Sequence, residues 1–256
     1  MIAADLALAL DPVTLARRAG IEPDPWQRDV LRANARQTIL LCSRQSGKST
    51  VSAVLAVHEA VYRDAALVLV LSPSLRQSQE LFRKALDVYR ALDRVAPPSA
   101  ESKLTLELDN GSRIVSLPGK EATIRGFSGV TLLIEDEASR VPDALYQSIR
   151  PMLAVSGGRI VLLSTSFGKR GHFYREWTEG GPGWQRVEIT AEDVPRIPAA
   201  WLAAERERIG VWWFAQEYQC QFVDTDDQVF ATDLIEGSLT RDVAPLFPIY
   251  APGVMA

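Results

Sequence analysis

Leu40-Leu41-Cys42-Ser43-Arg44-Gln45-Ser46-Gly47-Lys48-Ser49-Thr50 is the stretch on which the fold turns. It follows an apolar run, Thr38 to Leu41, that reads as a buried strand. It precedes Val51 to Val61, whose apolar spacing reads as a helix. Strand, tight loop ending in Gly-Lys-Ser, then helix is the arrangement of a phosphate-binding P-loop. The loop N–H groups and the helix N-terminus make a cradle for anionic oxygens, so Cys42 through Thr50 are candidate phosphate ligands. Gly47 lets the backbone approach without a Cβ in the way. Lys48 would put its ammonium on the β- and γ-phosphates, and the Ser49 hydroxyl would complete a magnesium site. Cys42 stands where this pattern usually opens with Gly, so a chance Gly-Lys-Ser at a helix start is the competing reading of the loop alone.

Two flanking segments bear on that choice. Upstream lies Trp26-Gln27. A Gln amide donates and accepts at once, matching the edge of adenine, and an aromatic ring can pack beside the base; Trp26 as a plain core anchor is the other reading. Downstream, the apolar strand Thr131 to Ile134 runs into Glu135-Asp136-Glu137. Alternation along a strand sends Asp136 and Glu137 in different directions. Asp136 would hold magnesium, directly or through water, and Glu137 would polarise an attacking water. The alternative is a strand that exits into an acidic turn. Glu135 sits where an apolar residue is usual, and the sequence offers no reason for it. Arg159 to Ser166 is another buried strand ending in hydroxyls, which puts Ser164 and Thr165 at the edge where a γ-phosphate is sensed, or where they cap the next helix near Lys169.

The 256 residues suffice for one large α/β domain with a small appendage. A net charge of −4 excludes a polybasic nucleic-acid coat, so any DNA-handling role needs a local basic patch. Two cysteines, Cys42 and Cys220, argue against a disulfide scaffold and fit a reducing compartment; two histidines, His58 and His172, leave no zinc cluster. No run approaches the roughly 20 apolar residues of a membrane span. Met1 to Leu10 reads as a short amphipathic helix rather than a signal peptide.

The expected organisation is an N-terminal helical segment (1–20), an α/β core (21–190), a small helical lid (191–223) and a linker or tail (224–256). Leu67 to Leu71 reads as a strand buried on both faces, and Leu75 to Leu92 as a helix capped by Ser74. Ala96 to Ser99 reads as a loop, and Leu104 to Leu117 as a hairpin turning at Asp109-Asn110-Gly111. Pro198 to Ile209 and Val211 to Tyr218 read as two helices. Trp201, Trp212, Trp213 and Phe214 are expected in the core of the lid rather than as a base-stacking platform.

Taken together, Trp26-Gln27, Ser43 to Ser49, Ile134 to Ala138, Leu163 to Ser166, Phe167 to Tyr174 and Trp213 to Val223 resemble the ATPase domain of a viral, tailed-phage-type terminase large subunit. The resemblance covers about residues 20 to 224. It implies an ASCE/RecA-like P-loop NTPase with a mainly parallel sheet, helices on both faces and a helical lid. It implies ATP and Mg2+ as cofactors. Its partners would be double-stranded DNA, a portal protein and a small terminase subunit, with no membrane. It further implies a homo-oligomeric ring in the cytoplasm of a bacterial host, encoded by a phage or prophage. Arg44 would act near the γ-phosphate, and Arg125 is the choice for an arginine supplied to a neighbouring subunit. Such subunits usually continue into a nuclease domain. Asp224, Asp226 and Asp227 make no metal site by themselves, so DNA cleavage is not expected of this chain alone. Two rivals remain: a superfamily 2 helicase-like translocase, for which the about 60 residues after Thr190 are too few to build a second RecA-like domain, and a catalytically degenerate nucleotide-binding assembly module.

Overall fold

The computed structural model describes residues 2–92, 97–119 and 126–223, with Leu234, Gly237 and Ser238. Lys120, Arg125, Asp224, Asp226, Asp227 and the proline-containing 244–256 segment lie outside the described residues. Met1–Val223 form one compact unit and Asp224–Ala256 a second.

Eight strands make one sheet: β1 (Gln37–Cys42), β2 (Leu67–Ser72), β3 (Pro98–Glu101), β4 (Thr105–Leu108), β5 (Arg113–Pro118), β6 (Leu132–Asp136), β7 (Arg159–Ser164) and β8 (Gln185–Ile189). Their spatial order is β3-β4-β5-β2-β6-β7-β1-β8. Pairing is parallel from β5 through to β8 and antiparallel only in the β3-β4-β5 meander. The Asn-Gly hairpin is therefore present as β4–β5. The loop expected over Ala96 to Ser99 is corrected, since Pro98 opens β3, a fully exposed edge strand where its missing N–H costs nothing.

Successive strand residues alternate between two cores. Leu40, Val70, Ile134 and Leu163 join the cluster that also takes Val51, Val54 and Val57 of α4 (Lys48–Tyr62) and Leu81 and Phe82 of α5 (Leu75–Arg90). Ile39, Leu41, Leu69, Leu133 and Leu162 join the opposite cluster, with Leu145 and Ile149 of α6 (Asp143–Ile149) and Phe173 of α7 (Gly171–Thr178). Helices thus cover both faces, and the unbroken apolar runs are what a doubly covered parallel strand requires. Each fully buried Leu or Ile contributes about 1.5–3 kcal/mol.

On the α4 face, α1 (Ile2–Leu10), α2 (Pro12–Arg18) and α3 (Pro25–Arg32) precede the sheet. Asp11 caps α2, and the Ser74 hydroxyl caps α5 by accepting from the Gln77 N–H at 3.3 Å. After β8 come α8 (Ala199–Ile209) and α9 (Val211–Tyr218). They pack round Ala191, Leu202, Phe214 and Tyr218. The aromatic expectation is corrected here. Phe214 is buried, but Trp201 and Trp213 are each 46% exposed and Trp212 is half-buried. The second half of α9, Phe214 to Tyr218, is buried throughout, while Val211 to Trp213 in its first turn keep solvent exposure.

Candidate nucleotide site

The carboxyl end of β1 leads into the loop 43–47. Gln45 and Gly47 take positive φ (59° and 95°), and α4 begins at Lys48. The Ser43 N–H donates to Ile189 O (2.8 Å) and the Arg44 N–H to Glu217 O (2.9 Å), so these two amides serve the sheet and α9. The N–H groups of Gln45, Ser46 and Gly47 have no partner among the described residues. Those of Lys48 and Ser49 begin a helix, where no intrahelical acceptor exists. Five consecutive amides are left to face an anion, which is the electrostatic content of a phosphate nest. Cys42 and Ser43 are fully buried and do not line the cavity over the loop, which Arg44 through Thr50 do. Cys42 is still β1, its side chain is in the core, and burial pushes its thiol up to about 12. A glycine is not needed there, because the backbone has not yet turned.

Strand parity explains the carboxylates. Asp136 shares the parity of Ile134 and faces the α4 side, where Lys48 stands. Glu137 leaves the strand with φ 52° and ψ 41°, the left-handed region that costs a non-glycine residue energy and clusters at functional sites. It forms an ion pair with Lys48, Nζ to Oε1 at 2.9 Å. Burial pushes the Asp136 carboxyl up to about 6, against the pull of Lys48. Burial also works against the Lys48 charge, but Glu137 and Asp136 outweigh it and hold the ammonium above its ordinary range. Asp136 Oδ1 and Glu137 Oε2 are buried with no hydrogen-bond partner among the described residues. An orphaned carboxylate oxygen, a free amide nest and the Ser49 hydroxyl suit a phosphate-bound Mg2+, which takes one or two carboxylates and completes its shell with phosphate and water.

A cavity of about 640 Å³ opens over the loop, lined by Arg44 through Thr50 and by Gln27, Glu137, Lys84 and Arg196. Gln27 is buried, with its Nε2 donating to Gly47 O (3.3 Å) and its Oε1 accepting from the Asp24 N–H (2.9 Å). Trp26 takes the core reading instead: it belongs to the α4-side cluster and does not line the cavity.

Ser164 and Thr165 do not line the cavity either. Ser164 Oγ accepts from the Ser139 N–H at 3.2 Å and lies 2.6 Å from Ser139 Oγ, which also donates to Thr165 O (3.0 Å). The next hydroxyl, Ser166, donates to Gln216 O of α9 (2.8 Å). This edge of β7 therefore ties the turn after Glu137 to the lid helix. Arg44 points the same way, its guanidinium pairing with Glu217 of α9.

Glu135 gains an explanation. By parity it faces the opposite core, is fully buried, and meets His172 Nε2 at 3.3 Å. Burial raises its carboxyl pKa, and His172 partly opposes that. The His172 ring stacks on Tyr146 at 4.3 Å, while the His172 backbone N–H donates to Asp143 Oδ1 (2.6 Å). Sequence reading missed this pairing, and it missed Arg196, Lys84 and Glu217. The first of these had a signal, a carboxylate in an apolar strand position; the others had none, lying on elements remote in sequence. Arg125 is outside the described residues.

Residues 39–236 match the family described as terminase large subunit, T4likevirus-type, N-terminal. The chain is 26% identical over 247 residues to the terminase large subunit of Thermus phage G20c, covering 83% of this chain and 51% of that protein. It thus spans about half the length of the curated relatives it matches. Its fold superposes on the large terminase ATPase domain of Thermus phage P74-26 with a TM-score of 0.69 at 23% identity, covering 81% of this chain and 97% of that one. It also superposes on the large terminase of a thermophilic bacteriophage in complex with ADP (TM-score 0.63, 9% identity, 82% and 52% covered).

Proposed function

The chain belongs to the terminase large-subunit family through its N-terminal, T4-like region, and on that premise we propose that it is the ATP-hydrolysing part of a motor that moves double-stranded DNA into a capsid. The observation that carries this is the run of amides from Gln45 to Ser49, without partners among the described residues, which includes a Lys48 already charged and already paired with Glu137. ATP phosphates would take the amides and draw Lys48 onto the β- and γ-oxygens. That transfer frees the Glu137 carboxylate to accept a proton from the attacking water. Ser49 and Asp136 would hold Mg2+, which neutralises charge on the phosphates. Arg44 would exchange Glu217 for the developing γ-phosphate charge, as an internal arginine finger. Because Ser166 and the Arg44 N–H both bind α9, rearrangement at the γ-phosphate would be felt by the lid.

The proposal extends to the coarse domain plan read from the sequence, to Arg125 as the arginine given to a neighbour, to a ring of subunits working with a portal protein and a small subunit, and to the bacterial cytoplasm as the place of work. Among the described residues no helix is long and apolar enough to cross a membrane. The test is ATP turnover by the wild-type chain, alone, with duplex DNA, and with DNA and procapsid. Turnover raised by duplex DNA, without strand separation, is the expected result. Binding without turnover in every condition would make it an assembly module, and ATP-driven unwinding would make it a helicase-like translocase.

A further inference from the structure

Two successive carbonyls of the P-loop are held from outside. Gln27, in the first turn of α3, donates to Gly47 O at 3.3 Å. Arg196, in the connection between β8 and α8, donates from Nη2 to Ser46 O at 3.0 Å, and its Nη1 pairs with the Asp24 carboxylate at the head of α3. The connection is itself anchored: Val194 is buried in the α4-side core, and Asp193 accepts from Thr190 N–H (2.9 Å) and Oγ1–H (2.7 Å). Gly47 is what permits the approach, since a Cβ there would lie 2.6 Å from Gln27 Nε2 and 3.2 Å from Arg196 Nη2. The two contacts fix the peptide planes on either side of the Gly47 Cα at the wall of the cavity.

We propose that Arg196 is a positioning residue for nucleotide binding: its fork of donors fastens the Ser46 carbonyl to Asp24 and keeps the Gln45–Gly47 amides turned toward phosphate. This rests on the reading of the cavity as an ATP site. The guanidinium is half exposed and the Asp24 side chain 11% exposed, so solvent screens the pair in part and its contribution to stability is modest. The effect therefore belongs in nucleotide affinity rather than in the melting temperature. A planar two-pronged donor is needed, so lysine replaces it incompletely.

The experiment measures ATP KM, kcat, fluorescent-nucleotide Kd and thermal melting for wild type, Arg196→Ala, Arg196→Lys, Asp24→Asn and the Arg196→Ala/Asp24→Asn double variant. Arg196→Ala should raise KM and Kd about tenfold, with kcat within about twofold and an unchanged melt. Arg196→Lys should recover part of the loss. Asp24→Asn should move KM the same way, and the double variant should be no worse than Arg196→Ala. An unchanged KM in Arg196→Ala, a loss confined to kcat, or full additivity in the double variant would overturn the clamp while leaving the ATP site standing. A wild-type chain that binds no nucleotide would remove the ATP reading and the clamp with it.

Discussion

Glu135 and Asp136 are adjacent, both carboxylates and both buried, yet they belong to different parts of the molecule. Asp136 faces α4, beside Lys48 and Glu137, with an oxygen that has no hydrogen-bond partner among the described residues. Glu135 faces α6 and α7 and is met by His172, whose ring is stacked on Tyr146 and whose backbone N–H donates to Asp143. Asp136 lies behind Lys48 and Glu137, which line the cavity on this open face, whereas Glu135 is enclosed under the opposite helices, on the closed face. The difference shows that role follows from what a side chain meets across the sheet. Each keeps one buried oxygen without a hydrogen-bond partner among the described residues, so the neighbour separates them: a carboxylate met by a histidine inside the core is structural, and one beside the lysine of a phosphate-binding loop is poised for a ligand.

The comparison can be broken from either face. The largest effect is expected at Lys48, the cation of the open face. Lys48→Ala removes charge-assisted contacts to phosphate and should weaken ATP binding on the order of 100-fold, read by nucleotide titration. An unaltered affinity would mean the open face is not the phosphate side. Next comes His172, the partner on the closed face. His172→Ala leaves Glu135 buried without its partner and should destabilise the fold by about 3 kcal/mol, toward the low end for a broken buried pair because the carboxyl can take up a proton. Denaturant melts should show that loss while nucleotide affinity stays within about twofold. Lost affinity with an intact melt would place Glu135 and His172 in the nucleotide site.

The smallest effect sharpens the open face. The folded-state pKa of Asp136 is raised from 3.8 to about 6 by burial. Its protonated form therefore stabilises the nucleotide-free fold below about pH 4, and that contribution is lost as pH rises through about 6. Asp136→Asn, which cannot ionise, should melt a few degrees above wild type at pH 7 without nucleotide or metal, and the gap should close near pH 4. A gap that does not change with pH would mean Asp136 is not desolvated in this state.

How much of this was legible depended on sequence distance. The P-loop, the carboxylate strand and the sheet were readable because each is a contiguous pattern: Thr38 to Leu41 and Leu67 to Leu71 alternate between two cores and so appear as unbroken apolar runs. Asp136 and Glu137 were readable as a pair ending such a run. The contacts that join the loop to the lid were not. Arg196 lies 150 residues from Ser46, and Glu217 lies 173 from Arg44. Neither sits in a pattern of its own, and a surface Arg or a helix Glu has many equivalents. The hydroxyls of Ser164 and Thr165 were placed on the right strand edge, but the sequence did not contain the detail that Ser139 meets Ser164 Oγ and Thr165 O. The aromatics of α8 and α9 misled because a cluster of Trp suggests a core, whereas the buried run of α9 begins only at Phe214, after Trp212 and Trp213.

On the proposed mechanism Glu137, held by Lys48 in the nucleotide-free state, becomes the base that activates water once phosphate takes the lysine. Glu137→Gln keeps the size and removes the base. Single-turnover ATP hydrolysis with parallel nucleotide binding tests this directly. The expected result is binding within a fewfold of wild type and a hydrolysis rate lower by about 10²–10⁴-fold. Hydrolysis at the wild-type rate by Glu137→Gln would contradict it.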